Sequence, residues 1–144
     1  MYKVCLLMLG ALLVAACGGS GDIVPTPGSV TPTAAPCAST AVPKASTHDI
    51  EFPRVGGDYT RQLPVEGYVL QAAGSHVDVN IVSLNGGLLG LSQLTVGEGT
   101  RGDMHRVDDV VLLQAIPDKT RACALIEGKG WKAEIPVRVG GANP

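Results

Sequence analysis

The strongest constraint on this chain is a two-residue alternation of apolar and polar side chains that recurs through its C-terminal two thirds. Ala133, Ile135, Val137 and Val139 share one parity, and Lys132, Glu134, Pro136 and Arg138 share the other. Successive side chains on a strand point to opposite faces, so such a stretch buries one face and wets the other. Val77, Val79 and Ile81 alternate with His76, Asp78 and Asn80 in the same way, and Ile50 and Phe52 with Asp49 and Glu51. Between these stretches lie Val55-Gly56-Gly57-Asp58, Asn85-Gly86-Gly87 and Gly128-Lys129-Gly130. Such residues tolerate positive φ and mark turns.

The remaining segments fill in the pattern. Leu63 and Val65 belong to a strand starting near Tyr59, Tyr68 to Leu70 to a short one after it, and Leu91, Leu94 and Val96 to another. Val110 to Ile116 is a continuous apolar run bounded by Pro117-Asp118, which suits a strand buried on both faces. Ala122, Ala124 and Ile126 precede the final hairpin, and Pro136 on the outward parity predicts an edge strand. Asp108 to Gln114 is too short and too β-branched for a helix. Aromatic residues make up only 3% of the chain, so the core must come from Val, Leu, Ile and Ala. About seven short strands across residues 47–140 predict an all-β fold, a single β-sandwich.

The chain before this domain has a different character. Residues 18–46 are Gly, Ser, Thr, Pro and Ala with Asp22 and Lys44 as the charged residues, and no hydrophobic period. This composition predicts a disordered tether. Ahead of it, Lys3, an apolar run and Leu13-Val14-Ala15-Ala16-Cys17 have the layout of a secretory signal. The run is short of the roughly 20 apolar residues that span a bilayer. The ending resembles the lipobox of bacterial lipoproteins. That resemblance implies cleavage before Cys17, diacylation of its thiol (palmitate-type chains) and a lipid anchor on the bacterial cell envelope. Gly18, where an aspartate would signal inner-membrane retention, implies an outer-membrane address in a Gram-negative host. The expected organisation is a signal peptide over 1–16, a lipidated tether over 17–46, the sandwich over 47–140 and a disordered tail over 141–144.

The domain itself resembles bacterial immunoglobulin-like modules carried on surface lipoproteins. The segment from Ile50 to Gly57, leading into Leu63-Pro64-Val65, also resembles the first hairpin of bacterial carbohydrate-associated sandwich repeats. Their later tryptophan and asparagine signals do not follow here, so no site residue is carried over.

Cysteine usage and charge narrow the setting. Cys5 leaves with the signal and Cys17 is spent on lipid, which leaves Cys37 and Cys123. Two remaining thiols in an exported protein most simply form one disulfide. Removing residues 1–16 leaves 128 residues with ten Lys and Arg against thirteen acids. That mildly acidic balance gives no support to nucleic-acid binding, which needs a clustered basic face.

No catalytic set emerges. Serines 75, 83 and 92 lack a nucleophile elbow, and His48, His76 and His105 are scattered, each read as exposed. His76 and Asp78 share a strand face, which a solvated polar surface explains. The densest charge lies in 97–109, read as a loop, where Glu98, Arg101, Asp103, His105 and Arg106 are candidate partner contacts. Oxygens of Glu98, Asp103, Asp108 and Asp109 could gather round calcium, but no EF-hand spacing is present and two arginines oppose a cation. Arg101-Gly102-Asp103 matches the tripeptide that animal integrins recognise, a match short enough to arise by chance. Trp131 is the candidate exposed aromatic for a ligand platform.

These features predict a non-catalytic protein-binding or assembly module, held on the membrane by acyl chains and contacting another envelope or extracellular protein. No cofactor, metal or nucleic acid is expected. The alternative is a small inhibitor or accessory lipoprotein that blocks an enzyme through the 97–109 loop, and an enzyme with an unrecognised site ranks third.

Overall fold

The computed structural model describes Cys37 and residues 42–141. The signal segment, Cys17, most of the tether and residues 142–144 lie outside the described residues. Ten strands follow in order: β1 (Lys44–Ala45), β2 (His48–Phe52), β3 (Asp58–Tyr59), β4 (Gln62–Val69), β5 (His76–Ser83), β6 (Leu88–Thr95), β7 (Thr100–Arg101), β8 (Met104–Leu112), β9 (Thr120–Gly128) and β10 (Trp131–Val139). Seven of them are five residues or longer; β1, β3 and β7 are two-residue pairings that the alternation could not reveal.

The strands form two five-stranded sheets, ordered β1-β2-β4-β8-β7 and β3-β10-β9-β5-β6. Every pairing is antiparallel except β3 with β10. The all-β, two-sheet architecture is the expected sandwich, and the described residues contain no helix. The core lies between the sheets. Leu63, Val65 and Val69 of β4 meet Val77, Val79 and Ile81 of β5, Ile126 of β9 and Ile135 of β10, all fully buried. In the last hairpin Ala133, Ile135, Val137 and Val139 face inward as their parity requires, and Trp131 pairs with Gly128 across the Lys129-Gly130 turn.

Two glycines permit close approaches. At Gly67 on β4, an added Cβ would collide with the Asp49 carbonyl oxygen and lie 2.9 Å from the Ile50 Cα. This is where the β2–β4 register shifts between Ile50 and Phe52. At Gly90 a Cβ would lie 3.0 Å from the Leu112 carbonyl oxygen. There Leu113, just after β8, bridges to Gly90 of β6.

Several expectations are corrected. β4 runs unbroken through Tyr68, so no separate strand exists at Tyr68 to Leu70. Val110 to Ile116 is not a doubly buried strand: Val111 is buried, but Val110 and Leu112 are 42% and 70% exposed. The apolar run misled because β8 begins earlier, at Met104, and presents one face to solvent. The folded unit also starts before residue 47, since Lys44 and Ala45 pair with Asp49 and His48. Finally, β10 is not a bare edge. Its C-terminal half is covered by β3 and the turn before it, with Gly56 N–H donating to the Pro136 carbonyl at 2.7 Å.

Candidate functional site

The 97–109 segment is mostly a hairpin rather than a projecting loop. Thr100 and Arg101 pair with His105 and Met104, and Gly102-Asp103 form the turn. Arg101 is held down on the sheet. Its Nη2 lies 2.7 Å from Glu51 Oε1, its Nη1 3.5 Å from Asp49 Oδ2, and its Cζ 3.9 Å from the centre of the Tyr68 ring. The hydrogen bond to Glu51 is the main reason its pKa rises above the usual arginine value. This arrangement argues against presentation of Arg101-Gly102-Asp103 as a free recognition tripeptide.

The other candidates disperse. Arg106 pairs with Asp108 at 2.6 Å, while Glu98 and Asp103 are exposed. His105 is half-buried on β8, with its Nδ1 buried and without a hydrogen-bond partner. Glu98, Asp103, Asp108 and Asp109 do not converge. Among the described residues the one group of close metal-ligating atoms is Cys37, Cys123 and Glu134. There both sulfurs are spent on each other in a disulfide, which removes the thiolates a metal would need.

Trp131 is not an exposed platform. It is 9% exposed, stacks on His48 with ring centroids 4.8 Å apart, and donates its Nε1–H to Gln71 Oε1 at 2.8 Å. His48, read as exposed, is 2% exposed. Its Nε2 lies 2.9 Å from the Val42 carbonyl oxygen and must carry the proton, while Nδ1 lies 3.1 Å from Thr47 Oγ1. A polar ring with both nitrogens engaged can be buried at little cost, so the pair plugs one end of the sandwich.

Among the described residues the serines and histidines do not come together as a catalytic constellation either. Ser83 is buried with its hydroxyl engaged by Asn85 and Gly87 in the β5–β6 turn. His76 is exposed, and Asp78 Oδ1 accepts from Gln93 Nε2 at 2.9 Å rather than orienting a base.

The disulfide expected from cysteine arithmetic is present. Cys37 and Cys123 have Cα atoms 5.6 Å apart. Cys123 is fully buried on β9, between Pro136 of β10 and Val82 of β5 in the register. The Cys37 N–H donates to Glu134 Oε2 at 3.0 Å, which seats Cys37 on the outer side of the second sheet.

β6 is the strand expected around Leu91, Leu94 and Val96, but its place at an open edge of the sheet is what sequence reasoning missed. It pairs with β5 on one side. On the other, among the described residues, it has only the Gly90–Leu113 bridge and the Gln114 N–H to Leu89 carbonyl bond of 2.8 Å. The stretch from Leu91 to Thr95 is therefore an open edge. It carries no charged residue and no proline, and Leu91 and Leu88 are 64% and 47% exposed. Sheet proteins usually blunt such edges with charges, prolines or cover. The absence of charge and proline from 88–95 was the available signal.

The chain matches no family model, no curated protein and no solved structure at a significant level.

Proposed function

We propose that this chain is a membrane-anchored bacterial envelope lipoprotein whose sandwich acts as a non-catalytic protein-binding and assembly module. In this reading it takes an extended segment of another envelope or extracellular protein as an added strand beside β6. The observation that carries the proposal is the open, uncharged edge from Leu91 to Thr95, with Leu88 and Leu91 exposed beside it. Strand addition draws affinity from main-chain hydrogen bonds and specificity from alternate side chains. The anchor rests on the resemblance of Val14-Ala15-Ala16-Cys17 to a lipobox, and Gly18 favours the outer membrane of a two-membrane host.

Strand order supports the immunoglobulin-like reading of the domain. β2, β4, β8 and β7 stand where strands A, B, E and D would, and β10, β9, β5 and β6 where G, F, C and C′ would. The disulfide departs from that pattern, since it joins the F-like strand to the N-terminal segment instead of to the B-like strand.

The inhibitor reading is disfavoured because Arg101 ties the 97–109 hairpin to β2 and β4. A photo-crosslinking residue placed at Gln93 and, separately, at Asp103 in the native envelope separates the two. A discrete adduct from position 93, lost in a Leu91→Lys background, supports strand addition. An adduct from 103 alone supports the inhibitor.

A further inference from the structure

At the end of the second sheet, beside the turn from β5 to β6, a cleft of about 520 Å³ opens. That size is within the range of small-molecule sites. Leu84 and Pro136 give it apolar walls, and Cys37 of the disulfide also lines it. No acidic side chain lines it among the described residues, whereas Arg121 and Arg138 do.

These two arginines stand directly opposite each other in the β9–β10 register. Like charges in that position repel and destabilise a sheet. For Arg138 the repulsion is relieved by Asp58, whose carboxylate receives its Nε at 2.9 Å and its Nη2 at 3.1 Å. Lys119 Nζ reaches the same carboxylate at 3.4 Å. Arg121 has no hydrogen-bond or ion-pair partner among the described residues. One carboxylate thus serves two cations, and a third cation is left unmatched at the wall of a largely apolar cleft.

We propose that this cleft binds a carboxylate borne on a short apolar body, with Arg121 as the anion-binding residue. The guanidinium fork matches a carboxylate bidentately. A monoanion fits better than a phosphate dianion, because Asp58 already occupies the fork of Arg138 and leaves one guanidinium free. Leu84 and Pro136 would cover the apolar body. The site is separate from the β6 edge, so it does not depend on strand addition.

The test uses the full chain in nonionic detergent with three probes: 4-methylpentanoate, its neutral amide 4-methylpentanamide, and inorganic phosphate. Calorimetry measures affinity, and the Arg121 Nε–Hε resonance reports location. The expected result is saturable one-to-one binding of the carboxylate that shifts the Arg121 signal. The amide and phosphate should bind at least about ten-fold more weakly, the scale of one charge-assisted hydrogen bond. Arg121→Gln should lose about the same factor and Arg121→Lys less, because it keeps charge without the fork. Thermal unfolding of Arg121→Gln, unchanged or raised, shows that the fold survives the substitution. The proposal is overturned by no saturable binding of 4-methylpentanoate, by amide or phosphate binding as tightly, or by full affinity in folded Arg121→Gln.

Discussion

Trp131 lies on His48 with their ring planes 23° apart, and the two close the end of the sandwich where β10 begins and β2 starts. Gln71 locks the arrangement by accepting from Trp131 Nε1 at 2.8 Å and from the Lys129 N–H at 3.0 Å through one oxygen. Trp131→Ala should cost about 3–5 kcal/mol, as large buried aromatics do. Gln71→Ala should cost about 1–3 kcal/mol by leaving the indole N–H without its partner. Urea unfolding curves measure both. Because Trp131 is the single tryptophan, its fluorescence reports the state of the plug itself, and Gln71→Ala should red-shift the native emission. An unshifted spectrum with unchanged stability would remove the plug from the account of the fold.

The two faces of β10 should respond in opposite ways. Ile135 is fully buried, and a carboxylate there has no partner, so Ile135→Asp should unfold the domain. Lys132 sits outside, 2.9 Å from Glu134 and 3.5 Å from Glu127. Lys132→Asp would set a third carboxylate beside these two and should cost about 1 kcal/mol, in keeping with surface pairs. Circular dichroism of the two variants distinguishes loss of fold from a small shift in midpoint.

The same lysine carries a pH signature. Glu134 first, then Glu127, raises the Lys132 pKa above 10.5, with burial opposing them. A cationic group whose pKa is raised by folding stabilises the native state below its unfolded pKa. That contribution is lost as pH rises through the folded value. The stability difference between the wild type and Lys132→Met should therefore be constant at neutral pH and shrink above about pH 10.5. A difference that grows with alkalinity would contradict the pairing.

Reducing the Cys37–Cys123 bond opens a loop of 86 residues. In the chain-entropy model this removes about 4–5 kcal/mol. The β-ladders themselves need nothing from the bond, so the reduced protein should remain folded at low temperature and melt earlier. Thermal scans with and without a phosphine reductant check this, and an unchanged midpoint would mean that the pair is not bonded in the isolated protein.

Acylation at Cys17 makes a prediction about mass. Protein extracted from membranes should begin at Cys17 and carry fatty-acyl mass, and Cys17→Ser should release it or leave it unprocessed. A chain that retains Met1, or an unmodified Cys17, would remove the anchor from the proposed function.

Legibility in the sequence depended on whether one residue's neighbours decide its environment. Val77, Val79, Ile81, Ala133, Ile135 and Val137 were readable because alternation alone assigns their faces, and the disulfide because the lipobox reading leaves two thiols. His48 was not readable. Its burial depends on Val42 and Thr47 supplying partners and on a tryptophan from the far end of the chain. The 97–109 segment looked like a loop because charge and glycine mask pairing, yet Arg106 and Asp108 simply occupy the exposed side of β8, and Asp109, on the face of Val107 and Val111, breaks the alternation by being exposed. Arg121 was passed over because an unpaired cation can be recognised only once the strand register places Arg138 opposite and Asp58 elsewhere.

The disulfide also determines how a pull on this domain would be carried. With an acyl anchor at Cys17 and a partner strand on β6, tension from the membrane would enter the fold at Cys37 and cross to Cys123 on β9. From there it passes through the β9–β5 and β5–β6 ladders to the partner. The short β1 pairing, which follows Cys37 in the chain and would otherwise be stripped first, is bypassed. Sheet β1-β2-β4-β8-β7 would lie off this path, and with such an anchor the bond would turn a chain-terminal attachment into a grip on an inner strand.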